Sequence, residues 1–318
     1  MAGIVDLEFE FPKSRVTVEQ MRAESGRPLA DILAWTHCTE IPVFGEFETA
    51  WELLSEVSRR VLERTGVAPD DIGQVIVAGS GRWDNPGWSP AAKVAAELDI
   101  TRAHCFEVIN FCHAGPTAMR IAADAIAAGR TRFSLVLLGE QAARGVDYTD
   151  PESVSGFSTG DCAVAILMGG ADTRFELLDI RSRTDPSWSD YYVGEYEDGR
   201  MVTRRRGRRL NLPQTYLKNF EALTADVLST IDRSTPDVRY LLINHMDRRM
   251  HERLLRNLGI PEERSVFNYD RFGHMSGGDV FIALSELHAQ SRLAPGDLLL
   301  LATSGAGFSW GVTAMEYR

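Results

Sequence analysis

Six short runs rich in β-branched and leucine residues punctuate the chain: QVIVA at 74–78, HCFEVIN at 104–110, FSLVLL at 133–138, CAVAILM at 162–168, VRYLLIN at 238–244 and DLLLLA at 297–302. Stretches with helical periodicity separate them, at about 46–65, 89–98, 113–129, 213–232, 247–258 and 277–291. Apolar runs of this length without alternation are strands buried on both faces, and their alternation with helices confines the chain to an α/β architecture.

The runs also repeat in kind. DDIGQVIVAGS resembles TPDVRYLLINH, each with an Asp shortly before a buried strand that ends on a polar residue. FSLVLLGEQ likewise parallels GDLLLLATSGAG. The weak duplication predicts two similar α/β halves, 1–171 and 172–318, with the break between 171 and 212, where Asp, Arg, Tyr and Trp displace the apolar pattern. Within it, 183–210 reads either as a solvated excursion loop or, through its five arginines between Arg204 and Arg209, as a docking surface for an acidic partner.

Composition limits the function classes. The 318 residues carry 45 Asp+Glu against 34 Lys+Arg, a net charge of -11, which disfavours general affinity for nucleic acid or anionic membrane. Four cysteines without CxxC spacing, Cys38, Cys105, Cys112 and Cys162, indicate neither a zinc site nor a disulfide framework. With no basic, apolar leader at MAGIVDLEFEFPKSR and no bilayer-length apolar run, the expectation is a cytoplasmic protein without metal or resident cofactor.

One cysteine stands apart. Cys112 follows the run HCFEVIN and precedes the small-residue helix HAGPTAMRIAADAIAAG, in which Pro116 falls in the first turn. A thiol at a helix start sees unpaired N–H groups and the positive end of the dipole, which favour the nucleophilic thiolate. His245 directly follows the run VRYLLIN, at the strand end where α/β sheets present ligand-facing residues. His274 lies in the Gly-flanked loop RFGHMSGGD. Together they form a candidate nucleophile-and-base set.

These residues carry a resemblance to the β-ketoacyl-acyl-carrier-protein synthase III branch of the thiolase superfamily. It rests on the strand–Cys–helix unit at 106–126, GFSTGDCAVAIL at 156–167, INHMDRRM at 243–250, NYDRFGHMSGGDVFIALSE at 268–286 and TSGAGFSWG at 303–311, in that order. The resemblance implies the thiolase fold, duplicated halves stacked in five layers (αβαβα), and a homodimer paired through the apolar strand near 104–110. It implies that Cys112 attacks an acyl thioester and that His245 binds the second thioester carbonyl during decarboxylative condensation. His274 stands where the family has asparagine, so a Cys-His-His set replaces Cys-His-Asn. The oxyanion hole would use the backbone N–H of Cys112 and of Ala306, within Gly305-Ala306-Gly307-Phe308.

The leading expectation is therefore a natural-product ketosynthase that forms acyl-Cys112 and then a carbon–carbon bond. The alternative is an acyltransferase in which His274 acts as base for a hydroxyl or amine acceptor. The early Trp-x-x-x-Arg stretch of primary-metabolism members is only faintly present as Ala34-Trp35-Thr36-His37, which favours an acyl carrier protein over coenzyme A as the source of the phosphopantetheine-linked acyl group. Arg248, Arg249 and Arg253, with Arg204, Arg205 and Arg206, are the expected docking cations for that acidic carrier.

Overall fold

The computed structural model describes residues 2–197, 200–206 and 211–318. The N-terminal half opens with β1 (Gly3–Glu10), β2 (Arg15–Thr17), α1 (Val18–Ser25), α2 (Leu29–Thr36) and β3 (Glu40–Pro42). It continues through α3 (Ala50–Thr65), β4 (Ile72–Gly79), α4 (Pro90–Glu97), β5 (His104–Ile109), α5 (Ala114–Ala127), β6 (Phe133–Gly139) and β7 (Ala163–Gly169). After it come β8 (Phe175–Thr184), β9 (Tyr192–Glu197), β10 (Arg200–Arg205), α6 (Leu212–Thr230), β11 (Val238–Ile243), α7 (Arg248–Leu258), α8 (Tyr269–Phe272), α9 (Asp279–Ala289), β12 (Leu298–Gly305) and β13 (Ser309–Tyr317). All six expected strands and all six expected helices are present.

Nine strands form one continuous sheet in the order β11-β12-β13-β8-β1-β7-β6-β4-β5. Among the described residues its two parts pair only at β1 and β8, which share the pairs Gly3↔Glu176 and Ile4↔Phe175. On either side of this seam the pattern repeats: β1, β7, β6 and β4 correspond to β8, β13, β12 and β11, with antiparallel, antiparallel and parallel pairing in turn. Short 3₁₀ turns at Pro69–Asp71 and Thr235–Asp237 lead into β4 and β11, the two strands whose sequences resemble one another.

Three apolar clusters define the layers. Leu54, Val57 and Val61 of α3 and Val94 of α4 pack on Val75, Leu135 and Ala165, one face of the N-terminal sheet part. Its other face packs on Met119 of α5, which shares a central cluster with Phe281 and Leu284 of α9 and with Leu242 and Leu299 of the C-terminal part. Phe220 and Val227 of α6 and Leu255 of α7 cover the remaining face through Leu241, Leu300 and Val312. The order α-β-α-β-α matches the expected five layers.

The segment 183–210 differs from an excursion loop. β8 runs to Thr184, and β9 and β10 form an antiparallel hairpin. Trp188 and Tyr191 are buried, with rings 6.1 and 6.0 Å from Phe308, and Arg206 N–H donates to Tyr191 O at 2.8 Å. The aromatic residues that broke the apolar periodicity thus anchor the hairpin to the body. Arg208 and Arg209 lie outside the described residues. Among the described residues no helix is long and apolar enough to cross a membrane.

Candidate active site

β5 stops where Asn110 N–H donates to Gly79 O (3.1 Å), tying the start of the nucleophile turn to β4. Phe111, Cys112 and His113 then form a 3₁₀ turn that runs into α5, and Phe111 is held at φ 50°, a left-handed value rare for an aromatic residue. Cys112 is half-buried at the helix entrance. His113 points the other way: its Nδ1 is 2.7 Å from Thr303 Oγ1 and its Nε2 2.8 Å from Ser182 Oγ. Burial lowers its pKa to about 4, so it is a neutral structural group. It also explains Gly311, where a Cβ would lie 2.0 Å from the His113 ring.

The other thiols are poor nucleophiles for a physical reason. Burial pushes Cys38 up to about 11, raises Cys105, and raises Cys162 well above the ordinary thiol value.

The loop 273–278 brings an imidazole to Cys112. His274 is pinned by two backbone bonds to the 156–161 segment, His274 N–H to Ser158 O and Gly160 N–H to His274 O, both 2.8 Å. Its Nε2 lies 3.5 Å from Cys112 Sγ and its Nδ1 2.6 Å from Asp279 Oδ2. Asp279 is fully buried at the start of α9, and its other oxygen accepts from Met275 N–H at 2.7 Å. Burial opposes charge on His274, but the Asp279 carboxylate and the Cys112 sulfur outweigh it and raise the pKa to about 10. The same contact holds Asp279 below the usual carboxylate range, against the opposing effect of its burial. Cys112, His274 and Asp279 thus form a chain of contacts whose chemistry suits a nucleophile, a base and an orienting carboxylate.

His245 occupies a different place. Its backbone N–H donates to Asp279 Oδ2 (2.8 Å), while its ring turns toward Tyr269 with centroids 4.7 Å apart. Nε2 meets Val266 O at 3.0 Å, which fixes the proton on that nitrogen; Nδ1 stands 3.5 Å from Asp279 Oδ1 without a hydrogen bond. The ring therefore approaches the Cys112–His274 pair through Asp279, and among the described residues no hydrogen bond joins it to the Cys112 sulfur. His274 thus lies at the Cys112 sulfur, and His245, expected to bind a second thioester carbonyl, lies beside Asp279.

Ala306 lies in the turn between β12 and β13, as expected. The turn is pressed against the nucleophile loop at Gly305, where a Cβ would come within 2.3 Å of Asn110 O. The expected docking arginines divide. Arg204 pairs with Asp150, Arg205 with Glu152 at 2.7 Å and Arg206 with Glu195, so this group mainly holds the hairpin to its neighbours. On α7, Arg248 pairs with Glu252 at 3.1 Å, whereas Arg249 and Arg253 are exposed and have no carboxylate partner among the described residues.

Asp279 escaped the sequence reading. The available signal was an acid opening an otherwise apolar helix, DVFIAL, five residues after His274. Buried charges are costly unless paired, so such an acid implies a partner nearby.

Duplicated halves in five layers, with a cysteine at the entrance of a central helix, define a thiolase-fold protein. Comparisons with known proteins agree. Residues 40–168 match the thiolase N-terminal domain and residues 228–317 the C-terminal domain of 3-oxoacyl-[acyl-carrier-protein] synthase III. The chain is 28% identical over 277 residues to β-ketoacyl-[acyl-carrier-protein] synthase III of Rhizorhabdus wittichii, covering 86% of each protein. It is 26% identical over 309 residues to that of Erythrobacter litoralis, covering 96% of each. The crystal structure of the Aquifex aeolicus synthase III superimposes with a TM-score of 0.88 at 22% identity, covering 100% of both chains. The priming β-ketosynthase of a polyketide biosynthetic pathway gives 0.89 at 21% identity, covering 100% of this chain and 96% of that one. The chain is a β-ketoacyl-acyl-carrier-protein synthase III-like member of the thiolase superfamily.

Proposed function

We propose that the chain transfers an acyl group from a carrier-bound thioester to Cys112 and then to a hydroxyl or amine acceptor, with His274 as base. The observation that carries this reading is the line Cys112 Sγ, His274 and Asp279, at 3.5 and 2.6 Å. In the first half-reaction the thiolate attacks the thioester carbonyl, the bond to the carrier sulfur breaks, and that sulfur leaves with the proton from His274. Acylation removes the negative charge from Cys112, one of the groups that held this proton. The neutral imidazole, oriented by Asp279, then takes the acceptor's proton as its oxygen or nitrogen attacks; collapse of the adduct returns the Cys112 thiolate. The N–H groups of Cys112 and Ala306 would receive the oxyanion in both steps.

Decarboxylative condensation is the second reading, favoured by the relatives named as condensing synthases. Carrier recognition is assigned to Arg249 and Arg253, one helical turn apart on α7 beside the partly exposed Met246. Four free thiols support a reducing, cytoplasmic compartment.

One experiment tests the reading. The protein is incubated with carrier-bound and small acyl thioesters, followed by alcohols, amines or malonyl carrier protein, with intact-protein mass and carbon dioxide release recorded. An acyl adduct should form in the wild type and vanish in Cys112→Ala, and the acceptor should take the group without carbon dioxide release. Arg249→Glu with Arg253→Glu should raise KM for the carrier-bound donor and leave the small thioester unaffected. Carbon dioxide release coupled to product formation would establish condensation instead.

A homodimer is proposed through β5, the last strand of the sheet, whose edge is open and carries Ile109 at 62% exposure. Light scattering at micromolar concentration should give twice the chain mass, and Ile109→Lys should shift it toward the monomer. A monomeric wild type would refute the pairing.

A further inference from the structure

The structure assigns to Asn244 a positioning role: its side-chain amide locks the oxyanion turn and the His274 loop at a fixed separation. Asn244 directly follows β11 and is buried, immediately before His245. Its Oδ1 accepts from Ser304 N–H and its Nδ2 donates to Ser276 O, both at 3.0 Å. Ser304 lies two residues before Ala306, and its hydroxyl donates to Tyr216 OH at 3.1 Å. Ser276 lies two residues after His274 and is held at φ 51°, a left-handed backbone that needs support from its surroundings. A single amide thus spans the two loops that supply the oxyanion donor and the base. An aliphatic residue of the same size would leave both contacts unmade.

The assignment rests on Cys112 acylation and on the turn containing Ala306 as oxyanion donor. Its consequence is selective, because stabilising an oxyanion requires the turn whereas simple alkylation of sulfur creates no oxyanion. Asn244→Ala removes both contacts. Asn244→Asp retains an oxygen for Ser304 N–H but sets the other against the Ser276 carbonyl, cutting only the tie to the base loop. In Asn244→Ala acylation of Cys112 by a thioester should fall about 10- to 100-fold, the scale of a misplacement near 1 Å, and in Asn244→Asp, which keeps the tie to the turn, it should fall less. Alkylation by iodoacetamide should stay within about threefold, since the two backbone bonds to the 156–161 segment keep His274 against the sulfur without Asn244. Equal losses in both rates, or unchanged acylation, would overturn the assignment.

Should the wild type accept no thioester, the acylation reading fails on its own, and an aldehyde probe still tests Asn244. The Cys112 sulfur bonds to the aldehyde carbon, the C=O pair becomes an oxyanion, and a proton completes the hemithioacetal. Weaker aldehyde binding in Asn244→Ala by about 10-fold would sustain the role; equal binding would refute it.

Discussion

His274→Ala should lower acyl transfer from Cys112 by roughly 10²–10⁴-fold, the loss typical of removing a general base, whereas His245→Ala should cost about 10-fold or less. The difference follows from placement: His274 Nε2 faces the sulfur at 3.5 Å, and His245 Nε2 is committed to Val266 O at 3.0 Å. His274→Asn sharpens the test, because an amide N–H still donates to an enolate oxygen but accepts no proton from an alcohol or amine. Loss of transfer in that variant, with Cys112 acylation retained in single-turnover mass measurements, is the expected result. Equal defects in the two alanine variants would mean that both imidazoles meet substrate, as condensation with a Cys-His-His set requires.

Asp279→Asn should be nearly as damaging, roughly 10²–10⁴-fold in transfer, since the amide no longer fixes the proton on Nδ1 or supports the imidazolium. It should also leave a thermodynamic mark. The pKa of His274 is raised from 6.5 to about 10, so the stabilisation it brings is complete below 6.5 and is lost as pH rises through about 10. Asp279 is depressed below 3.8, so its contribution is present above that value and fades as pH falls through the lower, folded-state value. Urea midpoints measured across the alkaline window should therefore decline more steeply for the wild type than for Asp279→Asn. Parallel curves would show that the carboxylate does not hold the His274 proton.

The strands visible in the sequence were those with continuous apolar runs, such as FSLVLL in β6 and DLLLLA in β12. β1 hid because Asp6 and Glu8 interrupt it; in the folded chain Asp6 is buried against Arg64 and Arg174, partners far away in sequence. β8 hid for a similar reason, its outer end being RSRT, and β13 because it opens on SWG. The site followed the same rule. Cys112 and His274 announced themselves through local context, a helix start and a glycine loop. The orientation of His245 depends on a carbonyl 21 residues later, which no local pattern encodes. Likewise Asn244 looked like an ordinary strand end, because its value lies in two loops from distant parts of the chain.

The inward-facing His113 has a consequence for recombination between relatives. Although the two halves repeat one strand pattern, the residue beside Cys112 is cradled by Ser182, Thr303 and Gly311 across the central layer. A chimera that joins this first half to a second half from another synthase inherits the imidazole without its cradle. Any bulkier residue at the position of Gly311 would press on the ring and tilt the helix that presents Cys112. The halves have become a matched pair, and exchange between lineages requires those four positions to travel together.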